Sequence, residues 1–180
     1  MRMLVGAVTI AGMLLLAGCG GGDPIPTLPP TPSATPIFAS EEEALAAAED
    51  AYAAYLKMSS LIGSEGGIDP ERISPLVTVD RLDVELRGFE TLRESGLRLV
   101  GHTTFDLVDV QRVEQVGNDV EVVFYACWDA SQSRVTNDSG EDVTPLDRVD
   151  RAVLEVVMVT AGGQPPLILA SDDAWPDSSC

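Results

Sequence analysis

The feature that most constrains the fold is a change of hydrophobic periodicity at Gly96. Before this glycine, apolar residues recur at intervals of three and four, which predicts amphipathic helices. After it, the apolar residues form short clusters rich in β-branched side chains and separated by turn sequences, which predicts strands. Helices followed by strands indicate an α+β domain, in which the N-terminal helices pack on a curved, largely antiparallel four-strand sheet.

The first helix is predicted to follow Ser40, in the segment SEEEALAAAEDAYAAYLKMSSLI. Ser40 and Glu43 form a capping box, and the three acids of the first turn complement the helix dipole. We expect the helix to run for about six turns and to end at 63–67. Its predicted buried face consists of Ala44, Leu45, Ala48, Tyr52, Tyr55, Leu56 and Ser59.

The second helix is predicted in the segment VDRLDVELRGFETLRES, after a short helical turn between Pro70 and Pro75. Its apolar stripe is expected to consist of Val79, Leu82, Leu86, Phe89 and Leu92. The opposite side carries Asp80, Arg87, Glu90, Arg93 and Glu94, a pattern typical of a solvated helix surface rather than of a catalytic cluster.

Four strands are predicted after Gly96, in the segments LVGHTTFDLVDVQRV, DVEVVFYACWDAS, AVLEVVMVT and LILASDDAW. Turn sequences at 117–119 and 162–166 join neighbouring segments. Short connections of this kind favour hairpins, and hairpins make the sheet antiparallel.

The N-terminal segment has the pattern of an export signal. Arg2 precedes the apolar run MLVGAVTIAGMLLLA, which is shorter than the roughly 20 residues that a transmembrane helix needs. The run ends in LAGC, which resembles the lipobox of bacterial lipoproteins. That resemblance implies a signal peptide at 1–18 and a diacylglyceryl thioether on Cys19. The alternative is an ordinary secreted protein, cut near Gly18 and carrying a spare thiol.

Residues 19–36 combine the lipidated cysteine with a tether rich in Gly, Pro and Thr, a composition that cannot bury a core. The net charge of the chain is −18, so anionic lipid headgroups would repel it and the lipid must supply the membrane affinity. Lys57 is the only lysine, which excludes nucleic-acid partners because their binding depends on basic side chains. We therefore expect a lipid-anchored protein on the extracytoplasmic face of the cell membrane.

Residues 37–180 resemble a known fold family. A long capped helix, a second helix and a run of antiparallel strands look like the cone-shaped NTF2-like (cystatin-like) fold. The lipobox, the Thr/Pro-rich tether and the C-terminal cysteine are similar to small lipoproteins of high-GC Gram-positive bacteria. The resemblance implies a cone, but NTF2-like folds serve isomerases, dehydratases, transport factors and inert binding modules, so the fold alone assigns no activity.

Two cysteines remain once Cys19 is assigned to the lipid. Cys127 lies in the middle of a predicted strand and Cys180 is the last residue. An even pair in an exported, oxidising setting predicts a disulfide, which would hold the C-terminal tail against the sheet. The alternative is two free thiols, one of them reactive.

The sequence contains few candidate catalytic groups. His102 and Asp106 lie four residues apart, about 13 Å along an extended strand, which is too far for a direct hydrogen bond. Isomerase chemistry in a cone needs a tyrosine and an acid in an apolar cavity, but alternation places Glu121 and Glu155 outside. The candidate tyrosines are Tyr52, Tyr55 and Tyr125.

The segment NDSGED (137–142) lacks the acid spacing of a calcium loop and is predicted to be a turn. We therefore predict no catalytic residues, no metal ligands and no cofactor. The sequence indicates a non-catalytic domain that binds a small apolar ligand or an envelope protein, with a homodimer as a further candidate assembly. The alternatives are an isomerase- or dehydratase-type enzyme that uses the cone cavity, or a structural envelope component whose cone is filled by Phe89, Phe124 and Trp128.

Overall fold

The structure of the protein is a computed structural model that describes residues 36–176 and Cys180. The predicted signal peptide at 1–18, Cys19 and the tether as far as residue 35 lie outside the described residues. The elements are α1 (Glu41–Ser64), a 3₁₀ helix (Pro70–Leu76), α2 (Val79–Glu94), β1 (Leu97–Val100), β2 (Thr104–Val116), β3 (Asp119–Asp129), β4 (Arg134–Asn137), β5 (Arg151–Thr160) and β6 (Leu167–Ala174). Among the described helices, none is both long enough and apolar enough to cross a membrane.

The sheet topology confirms the predicted α+β class. Four strands form one antiparallel sheet in the order β2-β3-β5-β6. A second, two-stranded sheet pairs β1 with β4 and was not predicted. The predicted first strand divides into β1 and β2 because Gly101, at φ 95, turns the chain between them. The signal for β4 was weak, because this strand has only four residues and a single apolar side chain.

Helix α1 forms where its cap and periodicity predicted it. The Ser40 side chain accepts a hydrogen bond from the Glu43 amide at 3.2 Å, while the Glu43 carboxylate accepts from the amide of Ala39 rather than from that of Ser40. Leu45 and Ser59 are only partly buried, because they lie at the edges of the apolar face. The helix continues through Gly63, where an added Cβ would come within 2.5 Å of Leu99. The buried residues are Ala44, Ala48, Tyr52, Tyr55, Leu56, Ile62 and Gly63.

Helix α2 is less buried than its stripe predicted. Phe89 is buried, but Val79 is 83% exposed because it is the first residue of the helix and extends beyond the contact with the rest of the domain. Leu82, Leu86 and Leu92 are partly buried. The charged side of α2 is exposed as predicted, at Asp80, Arg87, Glu90, Arg93 and Glu94.

The core lies between the helices and one face of the four-stranded sheet, which we call the inner face. Alternate residues of the two central strands supply it, including Phe124 of β3 and Val156 of β5. Tyr52 of α1 packs edge-on against Phe105 and Phe124, with ring centroids 4.9 and 6.0 Å apart. Phe124 and Phe89 are therefore core residues, whereas Trp128 is only partly buried at the end of β3.

The C-terminal tail covers part of the opposite, outer face of the sheet. Cys127 and Cys180 form the predicted disulfide, with their Cα atoms 5.8 Å apart. The Trp175 amide donates a hydrogen bond to the Val153 carbonyl at 2.8 Å, and the Trp175 ring lies 4.8 Å from that of Tyr125. The tail is thus held on the sheet, as the position of the two cysteines predicted.

Candidate functional site

Five polar side chains meet where α1, α2 and β6 converge, and we call them the buried polar cluster. They are Tyr52, Tyr55, Arg81, Glu85 and Asp172. Charged side chains are rarely buried unless they are paired, so a cluster of this kind marks a site that needs an explanation.

A backbone contact positions α2 beside β6. The Thr78 amide donates to the Leu169 carbonyl at 2.8 Å, and the Thr78 side chain caps the helix by accepting from the Arg81 amide. Arg81 lies three residues along α2 from this contact, and Asp172 lies three residues along β6. The two charged groups are therefore brought together by the start of one helix and its hydrogen bond to one strand.

A β-bulge at Ala170 turns Asp172 toward the core. In the pairing of β5 with β6, Met158 lies opposite Leu169 and Val157 lies opposite Ser171, so Ala170 has no partner. The extra residue reverses the alternation of the strand. Asp172 consequently pairs with the core residue Val156 and shares its inner face.

Arg81 joins the two carboxylates. Its Nε lies 2.7 Å from Glu85, four residues later on the same helix, and a terminal nitrogen lies 2.6 Å from Asp172. The side chains of these three residues are only 18%, 10% and 12% exposed, respectively. Charge-assisted bonds at these distances are strong, and the arginine fork suits two acceptors at once.

The two tyrosines complete the cluster as neutral donors. The Tyr55 hydroxyl donates to Glu85 at 2.9 Å and accepts from Arg81 at 3.2 Å, and the Tyr52 hydroxyl donates to Asp172 at 3.3 Å. Their rings are stacked, with centroids 5.9 Å apart. Among the described residues, no buried side-chain nitrogen or oxygen lacks a hydrogen-bond partner, so the cluster is fully satisfied.

Burial dominates the electrostatics of the cluster. It raises the pKa of both tyrosines far above the ordinary value, and the nearby Asp172 charge adds to the effect. Burial also raises the pKa of Asp172, although Arg81 opposes that shift. Burial alone would lower the pKa of Arg81, but Asp172, Tyr55 and Glu85 raise it above its ordinary value. Arg81 therefore stays charged beside Glu85 and Asp172, both of which form ion pairs with it.

A cavity of about 440 Å³ opens next to the cluster, and we call it the inner cavity. Tyr55 and Asp172 of the buried polar cluster belong to the polar part of its wall, and Trp128 and Leu154 belong to the apolar part. Its lining residues are Tyr55, Leu56, Ser59, Ser60, Leu99, Thr103, Trp128, Val149, Ala152, Leu154, Asp172 and Ala174. A mainly apolar cavity of this size with a few fixed polar groups is the usual form of a small-molecule site.

The structure separates the residues that the sequence paired as catalytic candidates. His102 lies in the loop before β2 and is exposed, whereas Asp106 lies within β2, opposite Cys127 of the outer face. Tyr125 lies on the outer face beneath Trp175. Glu121 also lies outside, as alternation predicted, and forms an ion pair with Arg112.

The segment at 137–142 is a turn, as predicted. The Asn137 side-chain oxygen accepts from the amides of Ser139 and Glu141 at 3.1 and 3.0 Å. Within residues 36–176 and 180, no three His, Cys, Asp or Glu side chains are grouped so that they could hold a metal ion.

Sequence reasoning missed Arg81, Glu85 and Asp172 as site residues. The bulge at Ala170 hid Asp172, because simple alternation from Leu167 and Leu169 places it on the outer face. One signal was available, since two tyrosines on the predicted buried face of α1 require partners for their hydroxyls. An arginine and a glutamate at i and i+4, beside the apolar stripe of α2, are suitable partners.

Comparison with known proteins assigns no family to this chain. No protein-family model matches the sequence, and no curated protein is significantly similar to it. Among solved structures, the chain was aligned with the solution NMR structure of a de novo designed β-sheet protein at 16% sequence identity. The alignment covers 76% of this chain and 94% of the designed protein, with a TM-score of 0.29.

Proposed function

We propose that the protein is a lipid-anchored, extracytoplasmic lipoprotein whose domain binds a small, mainly apolar ligand without transforming it. The observation that carries this proposal is the inner cavity, with a volume of about 440 Å³ and mostly apolar walls. This volume lies within the range of roughly 300–1,000 Å³ that is usual for ligand pockets. The satisfied cluster beside the cavity fixes Tyr55 and Asp172 in place, so the polar part of the wall is preorganised before a ligand enters.

We propose further that the fold is an NTF2-like cone. In support of this assignment, α1 lies along the inner face of a sheet that is bent by two register shifts within β2. The inner cavity is formed at one end of that face by the ends of β3, β5 and β6.

The proposed anchor depends on Cys19 and on the net charge of −18, which makes adhesion to anionic membranes unfavourable without a lipid. Cys19→Ala should release the exported protein from the membrane fraction into the soluble fraction. Unchanged retention of this variant would refute lipid anchoring.

Ligand binding can be tested with N-phenyl-1-naphthylamine, a neutral apolar probe whose fluorescence rises in apolar surroundings. Ala152→Leu adds volume to the wall of the inner cavity, and Ala54→Leu makes the same change on the exposed side of α1. Overfilling a packed site costs on the order of 1–3 kcal/mol, so Ala152→Leu should weaken probe binding at least about fivefold. Ala54→Leu should leave binding unchanged. Absence of saturable binding to the parent protein, or equal binding by both variants, would contradict the proposal.

A second candidate function is acid–base catalysis in the same cavity. The observation in its favour is that Asp172, whose pKa is raised by burial, lines the cavity beside Tyr55. Both oxygens of Asp172 are already engaged, by Arg81 and by Tyr52, and this favours a structural role. Once a bound ligand is identified, its conversion by the parent but not by Asp172→Asn would establish catalysis.

A further inference from the structure

A second cavity adjoins the inner cavity, and we call it the outer cavity. It has a volume of about 390 Å³ and lies between α1 and the chain that leads into β2. Leu56, Ser60 and Thr103 line both cavities. The remaining lining of the outer cavity is Ala53, Lys57, His102, Thr104 and Phe105.

Gly101 fixes the loop that forms one side of the outer cavity. It has a φ of 95, and an added Cβ would lie 2.0 Å from the carbonyl oxygen of Gln132. Only glycine fits such a close backbone approach at positive φ. The tight contact holds His102 and Thr103 at the cavity.

The outer cavity is lined by Lys57 and His102, which are the only lysine and the only histidine of the sequence. Seven arginines of the described residues form ion pairs with acids: Arg72, Arg81, Arg93, Arg112, Arg134, Arg148 and Arg151. By contrast, the side chains of Lys57 and His102 make no hydrogen bond or ion pair with another residue in the part of the chain that the structure describes. Two donor groups without a protein partner thus flank an otherwise apolar and hydroxyl-lined space.

The charge distribution gives the two cavities opposite preferences. Asp172 lines the inner cavity and not the outer one, whereas Lys57 and His102 line only the outer cavity. With a net charge of −18, the protein as a whole repels anions, so an anion that binds must find a local source of positive charge. Lys57 supplies that charge, and either neutral tautomer of His102 can donate a ring N–H.

We infer that the ligand is a free amphipathic anion, with its apolar body in the inner cavity and its anionic group at Lys57 and His102 in the outer cavity. This inference rests on the proposed ligand-binding function and adds the chemical class of the ligand. A carboxylate, sulfonate or phosphate monoester on an apolar chain or ring fits the description. Thr103 and Thr104 add hydroxyl groups beside the anion site.

The test uses two probes of the same shape that differ in charge. 1-Anilinonaphthalene-8-sulfonate carries a sulfonate on the phenyl-naphthylamine body, and N-phenyl-1-naphthylamine is the same body without it. Both are titrated into the full-length protein and into Lys57→Met and His102→Leu. Arg87→Met serves as the control, because Arg87 is also a cation without an ion pair in the described structure but lies on the solvated side of α2.

Lys57→Met should weaken binding of the sulfonate probe about fivefold, which is the effect of losing one charge-assisted bond at a partly solvated site. His102→Leu should also weaken binding of the sulfonate probe. Neither change should affect the neutral probe, and Arg87→Met should leave both probes unchanged. Because both substituted residues are exposed, circular dichroism should show the parent fold in each variant.

The outcomes separate the inference from the function on which it rests. If the neutral probe binds but the sulfonate probe is unaffected by Lys57→Met, or is affected equally by Arg87→Met, the anion site is refuted while the ligand-binding function stands. If neither probe binds the parent, both proposals fail. Weakening of both probes by Lys57→Met would also refute the anion site, because the effect would not depend on the sulfonate.

Discussion

Arg81 is the residue on which the buried polar cluster depends. It pairs with Glu85 and Asp172 and donates to Tyr55, while its own side chain is only 18% exposed. Arg81→Ala would leave two buried carboxylates without a counter-charge. Removing one partner of a buried pair costs about 3 kcal/mol, and we expect that loss in the free energy of unfolding measured with urea.

Arg87→Ala is the matched control for Arg81→Ala, since it removes an exposed arginine from the same helix. Its effect should stay within about 0.5 kcal/mol, as is usual for surface substitutions. Equal effects of the two substitutions would show that the cluster contributes nothing to stability beyond helix propensity.

Asp172 gives the cluster a pH dependence with a definite sign. Because burial raises its pKa in the folded state, the folded protein binds the proton more tightly than the unfolded chain. Its stabilising contribution is therefore complete below the ordinary aspartate pKa of about 3.9 and is lost as the pH rises through the folded-state value.

The comparison protein for this prediction is Asp172→Asn, which keeps the shape of the side chain and removes its titration. Arg81, Glu85, Tyr52 and Tyr55 face the position in both proteins. The unfolding free energy of the parent minus that of the variant should be greatest near pH 4 and should decrease toward pH 7. A difference that grows with pH would mean that Arg81 lowers the Asp172 pKa more than burial raises it.

Helix α1 depends on the cap at its N-terminus. The Ser40 side chain accepts a hydrogen bond from the Glu43 amide, one of the first-turn amides that have no partner within the helix. Ser40→Ala should therefore destabilise the domain by about 1 kcal/mol in thermal or urea unfolding, and Ser40→Asp should restore most of the loss. If the aspartate variant is as unstable as the alanine variant, the cap is not what the serine contributes.

The sequence predicts some elements of the fold better than others, and the reason is physical. The position of α1 follows from local signals, because a cap, first-turn acids and a 3.6-residue period all act within a few residues of one another. The bulges in β2 and β6 depend instead on how a strand fits its neighbour, and no local motif marks Val108, Gln111 or Ala170 as extra residues. The α+β class and the four-stranded sheet were therefore predictable, whereas the direction of Asp172 was not.

At the scale of the whole molecule, the disulfide links the C-terminus to the centre of the sheet. Cys127 and Cys180 are separated by 53 positions, and closing a loop of this length stabilises a fold by about 4 kcal/mol in the chain-entropy model. Cys180→Ser should lower the free energy of unfolding by up to that amount. Without reductant and with Cys19 replaced by alanine in both proteins, the unfolded Cys180→Ser variant should show one titratable thiol and the unfolded parent none. Two thiols in the parent would show that the disulfide does not form.

The candidate site illustrates which features of a molecule a sequence encodes locally. The pairing of Cys127 with Cys180 could be predicted because assigning Cys19 to the expected lipid left an even pair, although two free thiols remained the alternative. The inner cavity could not be predicted, because it arises from the spacing between α1 and the ends of three strands. No sequence pattern marks a space that side chains leave unfilled. Trp128 shows the difficulty, since one sequence-based alternative placed it among the residues that fill the interior, whereas it lines the cavity wall.

If the inner cavity binds a small ligand, the native protein should weigh more than its bare chain by the mass of that ligand. The mass of the Cys19→Ala variant, purified without reductant, would be measured by mass spectrometry under native and then under denaturing conditions. We predict an excess mass in the native state that disappears on denaturation and whose occupancy is lower when Ala152→Leu is added. A native mass equal to that of the bare chain would contradict the claim.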